Sequence, residues 1–138
     1  MEKWQEKLQE LKDKGLSLSI EKDGNVLHQS FDPMLKPLYN LLKNHGSDLR
    51  GATVYDKIVG RAAAYLCIVG GVREIYTLLA SETAKIVLAE HHISITALKT
   101  IPVIMNRDNT DKCPMEKMAL SSDGPESFLA MLEEKMRG

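Results

Sequence analysis

The side chains of this sequence best suited to chemistry fall in two constellations. The first is Tyr55–Ala64, where Asp56 and Lys57 precede Gly60, Arg61 and three alanines. The spacing predicts a helix over about 56–69 with the charged pair at its start and Gly70-Gly71 as its stop. There, unpaired backbone N–H groups attract an anion, Asp56 is a cap or proton carrier, and Lys57 neutralises a phosphate or carboxylate. Gly60 inside a helix costs roughly 1 kcal/mol against alanine, so it needs a close-packing or ligand-approach reason. Arg61 is placed to pair with an acid or to reach a ligand. The second constellation is Asn106–Glu116, a polar loop that ends in Cys113-Pro114. A thiol next to a helix N-cap ionises readily, and Glu116, three residues on, can exchange protons or close a capping arrangement. The plainer reading of both is solvated caps and surface charge.

Metal and phosphate motifs are missing. The four histidines include only the adjacent pair His91-His92, while His28 and His45 stand alone, and no CxxC, HxxxH or HExxH occurs. A zinc site would need ligands gathered from scattered positions, so no resident metal or cofactor is expected. Asp108–Asp111 lacks the glycine and the terminal glutamate of a calcium loop. Cys67 lies in an apolar helix and reads as inert core.

Elements must position these groups. Trp4, Leu8 and Leu11 recur at helical spacing over 2–14. Leu16, Leu18 and Ile20 alternate with polar residues, and Asp23-Gly24 predicts a hairpin into Val26–His28. Leu35, Leu38, Leu41 and Leu42 mark a helix with Pro37 in its first turn, ended by Asn44-His45-Gly46. Residues 47–54 read as a loop or a short extended run. Glu74–Ala80 reads as a buried strand, after which Ser81 caps a helix over 82–91. Ser94–Ala97 and Pro102–Met105 are candidate strands, Pro114–Leu120 a short helix, and Gly124-Pro125 opens the last helix, with Phe128, Leu129 and Leu132 inward. A hairpin followed by alternating helices and strands predicts one domain over 1–138, α/β, with a mixed sheet in a three-layer α/β/α arrangement.

Composition narrows the classes. The 138 residues carry 18 basic and 19 acidic side chains for a net charge of −1, which argues against nucleic acid or an anionic membrane as obligatory partner. The charged opening Met1–Lys7 has no apolar signal core, and no apolar run approaches the ~20 residues of a membrane span. Two separated cysteines fit free thiols in a reducing cytoplasm. No patch in the sequence marks a surface for pairing with a second copy.

Together the hairpin, the Asp56–Ala64 stretch, Ile75–Ala84 and the Asn106–Glu116 segment resemble a small bacterial family of unknown function with a cytidine-deaminase-like fold. The resemblance implies a deaminase-like scaffold over most of the chain, and folds of this kind often pair with a second copy through helical faces. Zinc deaminases hold their metal through a His or Cys followed by Glu on one helix and Pro-Cys-x-x-Cys on the next. In this chain those places carry Asp56-Lys57 and Ser81–Lys85. Cys113 lies beyond the second helix and is not the lost ligand under another number. Three readings stay open. One is a non-zinc enzyme acting on a small nucleotide-like or amine-bearing ligand through Asp56, Lys57, Cys113 and Glu116, with Gly60, Arg61, Ser81 and Asn106 binding. Another is a non-catalytic module that binds a ligand or a protein, and the last is a metalloenzyme with Asp56, Cys113 and Glu116 as ligands.

Overall fold

In the computed structural model, which describes residues 1–137, a five-stranded sheet in the order β2-β1-β3-β4-β5 separates one helix from the others. Helix α1 (Lys3–Lys14) precedes the hairpin β1 (Leu18–Lys22) and β2 (Asn25–Ser30). Asp23 and Gly24 both have positive φ at its turn, the twist a tight two-residue hairpin requires. Next come α2 (Lys36–Asn44), α3 (Gly46–Leu49) and β3 (Thr53–Val59), then α4 (Arg61–Gly70) and β4 (Glu74–Ser81). The chain closes with α5 (Glu82–Glu90), β5 (Ser94–Ile101), α6 (Pro114–Ser121) and α7 (Pro125–Arg137). β1 pairs antiparallel with β2 and β3, whereas β3, β4 and β5 are parallel, so the sheet is mixed.

The layers follow from which faces are apolar. Leu8 and Leu11 of α1 bury themselves with Leu16 and Tyr55 on one side of the sheet. On the other side Leu38, Leu49, Leu66, Leu88, Ala119, Phe128 and Leu132, drawn from the six remaining helices, pack on Ile20, Val54 and Ile75. Helix α4 is buried along most of its length, as an apolar segment with small residues must be when neighbours surround it. Among the described residues no helix is long and apolar enough to cross a membrane.

Two expected elements are corrected. Asp56 and Lys57 do not open a helix; they lie within β3, and α4 begins only at Arg61 with Gly60 as its N-cap residue. Val54, Tyr55, Ile58 and Val59 are strand formers, and β1 and β4 flank them on both sides, so lateral pairing prevails over the charged pair. Pro102–Met105 is not a strand. β5 runs on to Ile101, and the following segment contributes only an isolated bridge between Met105 and Lys112.

Candidate functional site

Strand β3 delivers Asp56 opposite Thr77 of β4. Between these partners and the next pair, Ile58 and Leu79, the ladder skips Lys57 and Leu78. Each strand heals the gap with its own side chain. The amide of Ile58 donates to Asp56 Oδ1 at 3.3 Å, and that of Leu79 donates to Thr77 Oγ1 at 3.3 Å. Alternation slips there, so Val54 and Val59, five residues apart, both reach the multi-helix face. Burial raises the Asp56 carboxyl to about 7, against the pull of the Ile58 and Lys57 amides. The fully enclosed Cys67 thiol of α4 is pushed far up, first by burial and then by the nearby Asp56 charge. Asp56 can therefore exchange a proton near neutral pH, while Cys67 stays a thiol.

The ends of β3 and β4 lie side by side, with Val59 paired to Ala80, and α4 and α5 begin there. In open α/β sheets this is where ligands gather, because helix N-termini offer unpaired amides. Here the protein fills both positions itself. From α6, Glu116 sends a buried carboxylate to the start of α4, where Arg61 N donates to Oε1 at 2.8 Å and Ala62 N to Oε2 at 2.9 Å. Burial raises the Glu116 carboxyl, and the two amides and the Arg61 charge oppose that rise. Gly60 is required by this contact, since a Cβ there would stand 2.5 Å from Glu116 Cδ. Its φ of −95° is ordinary, so space and not backbone freedom selects glycine. At α5 the Ser81 hydroxyl accepts the Ala84 amide at 3.0 Å and caps that helix.

The other expected site residues disperse. Among the described residues the Arg61 guanidinium forms no ion pair within 4.0 Å; its Nε donates to the Tyr65 hydroxyl at 2.9 Å and its guanidinium lies over that ring. Lys57, next to Asp56 on the strand, is exposed, whereas Glu116 is buried against the start of α4. Half-buried Cys113 is the N-cap residue of α6 with no side-chain cap bond, and its amide donates to Ile104 O at 3.0 Å. The Asn106 carboxamide folds its own loop, accepting the Thr110 amide at 3.0 Å.

A feature the sequence reading missed lies on the α1 side. A cleft of about 280 Å³ opens between α1 and the N-terminal ends of β3 and β4, lined by Trp4, Lys7, Glu21, Tyr55, Glu74 and Tyr76 among others. A narrower cleft of about 60 Å³ shares Lys7, Glu21 and Tyr55 with it. Trp4 stacks on Tyr76 at 5.5 Å between ring centroids, and Tyr76 on Tyr55 at 5.4 Å. Lys7 pairs with Glu21 at 2.6 Å. The Glu74 carboxylate accepts from the Tyr76 hydroxyl at 3.0 Å and from Thr53 Oγ1 at 2.8 Å. Burial, and then the charges of Glu21, Tyr76 and Glu74, raises the Tyr55 hydroxyl to about 12, so this ring stays neutral. The signal that would have revealed the cleft is the register pairing of Tyr55 with Tyr76. A helix expected to start at Asp56 leaves Tyr55 outside any strand and hides that pairing.

Residues 6–136 match the family model described as TM1506, domain of unknown function (DUF1893). The crystal structure of the DUF1893 family protein TM1506 from Thermotoga maritima superposes with a TM-score of 0.86 at 31% identity, over 98% of this chain and 92% of that one. Acinetobacter baumannii RibD superposes with a TM-score of 0.54 at 17% identity, over 68% of this chain and 34% of RibD. A diaminohydroxyphosphoribosylaminopyrimidine deaminase/5-amino-6-(5-phosphoribosylamino)uracil reductase from Thermotoga maritima gives 0.50 at 17% identity, over 68% and 35%. The last two share a deaminase-like fold with this chain, which spans about a third of their length. No curated protein matches.

Proposed function

The chain belongs to the DUF1893 family of unknown function, and on that premise we propose that it is a non-catalytic binding module on a deaminase-like scaffold. One observation carries this reading: the Glu116 carboxylate occupies the start of α4, where a deaminase-like fold would receive its ligand. The α1 cleft then takes the binding role. Its aromatic row and the Glu74 carboxylate suit the ammonium group of a small amine-bearing ligand, through cation–π attraction and a charge-assisted hydrogen bond. Trp4, the sole tryptophan, lines that cleft and reports on it. Titrating the full chain with spermidine should change Trp4 fluorescence saturably, and Glu74→Gln should weaken the response at least tenfold. No saturable change, or an undiminished one in Glu74→Gln, would overturn the assignment. Adenosine monophosphate in the same assay tests the nucleotide-like alternative.

A second reading rests on Asp56, whose carboxyl titrates near neutrality on the multi-helix face. In a non-zinc enzyme acting on a nucleotide-like or amine-bearing molecule, Asp56 would be the proton carrier. Asp56→Asn would then abolish turnover while leaving the cleft titration intact.

A further inference from the structure

Two histidines that are remote in sequence meet at one corner of the sheet. His28 stands on the edge strand β2, and its Nε2 donates to Asp48 Oδ2 at 2.8 Å. His45 lies at the junction of α2 and α3, and its ring centroid is 5.0 Å from that of His28. Each of the three residues offers one ligand atom, and these atoms all lie within 4.8 Å of one another. We propose that His28, His45 and Asp48 form a binding site for a divalent transition-metal ion of the zinc class, with water completing its coordination.

The chemistry follows from the donor set. Two imidazoles and one carboxylate favour zinc, cobalt or nickel over calcium and magnesium, which prefer all-oxygen shells, and no thiolate draws copper(I). Metal–nitrogen and metal–oxygen bonds of about 2.0–2.2 Å put tetrahedral ligands some 3.3–3.6 Å apart, so separations of up to 4.8 Å close by at most about 1.5 Å while the 2.8 Å His28–Asp48 contact opens slightly. A metal at His28 Nε2 takes the neutral tautomer with its single proton on Nδ1, so the hydrogen bond to Asp48 Oδ2 is given up and the Nε2 lone pair faces the ion. His45 and Asp48 are held by one turn, with the Asp48 amide donating to the His45 carbonyl at 2.9 Å. Buried Leu38 and Leu49 anchor the flanking helices, so two of the three ligands sit on a fixed corner. His45 is exposed, which leaves the outer side open to water, as in three-ligand zinc sites and unlike closed structural ones. Lys22, whose Nζ donates to the Ser47 carbonyl at 3.1 Å, also acts on Asp48 and works against cation binding.

The test is calorimetric titration of zinc chloride into the full chain, untagged and freed of metal by chelation, with cobalt(II) absorption as a second readout. One metal per chain is expected, with a tetrahedral or five-coordinate cobalt band. Affinity should fall at least tenfold in Asp48→Asn and in His45→Ala. The latter removes an exposed side chain and leaves the fold in place. His92→Ala should bind as the parent does. Absence of stoichiometric binding, binding unchanged in His45→Ala, or binding lost in His92→Ala would each overturn the proposal.

Discussion

Asp56→Asn gives the sharpest test of how the sheet holds its buried carboxyl. In the fold this group titrates at about 7, against 3.8 for an ordinary aspartate. Between those values the unfolded chain has released the proton and the native chain still holds it, so stability falls as pH rises. Its contribution is full below pH 4, declines from about pH 4 to 7, and is flat above. About three units at roughly 1.4 kcal/mol each give about 4 kcal/mol, and partial exposure of the residue reduces this to about 2–4 kcal/mol. Asparagine has the same shape, cannot ionise, and can still accept the Ile58 amide. The variant should match the wild type within about 0.5 kcal/mol near pH 4 and exceed it by about 2–4 kcal/mol at pH 8, or roughly 6–16 °C in Tm. Urea and thermal unfolding at constant ionic strength across pH 4–8.5 read this directly. The raised carboxyl of Glu116 pulls in the same direction in both proteins, so only their difference isolates Asp56. Parallel stability curves over the whole range would refute the burial argument.

Gly60→Ala puts a Cβ 2.5 Å from the Glu116 carboxyl and must displace it from two amides, at a cost of about 2–4 kcal/mol. Chemical denaturation measures this, and a loss under 0.5 kcal/mol would mean that the carboxylate is not held as described. Iodoacetamide should label Cys113 in the native chain and Cys67 only on unfolding, because Cys67 is 1% exposed and Cys113 half-buried. Mass spectrometry of the two peptides would expose the reverse order.

What could be read in the sequence was what local chemistry decides. The Asp23-Gly24 turn, Pro37 in the first turn of α2, the Ser81 cap and the apolar faces of α1 and α7 all depend on neighbours within a few residues. β3 escaped because its middle carries a charged pair, and only the flanking strands β1 and β4, one sequence-distant on each side, make it a strand. The Glu116 contact spans 54–55 residues, so a proline-led short helix gave no hint of where its carboxylate would go. The aromatic cleft and the His28–His45–Asp48 corner share this origin, since each is assembled by sheet register and not by spacing along the chain.

The binding-module reading turns on Glu116 filling the start of α4. Glu116→Ala would expose the amides of Arg61 and Ala62 and leave a gap the size of a small carboxylate. Thermal melts with rising sodium acetate, balanced by sodium chloride, measure this occupancy. The predicted result is a saturable gain of several degrees in the variant and no acetate-specific change in the wild type. An equal response in both proteins, or none in the variant, would contradict it.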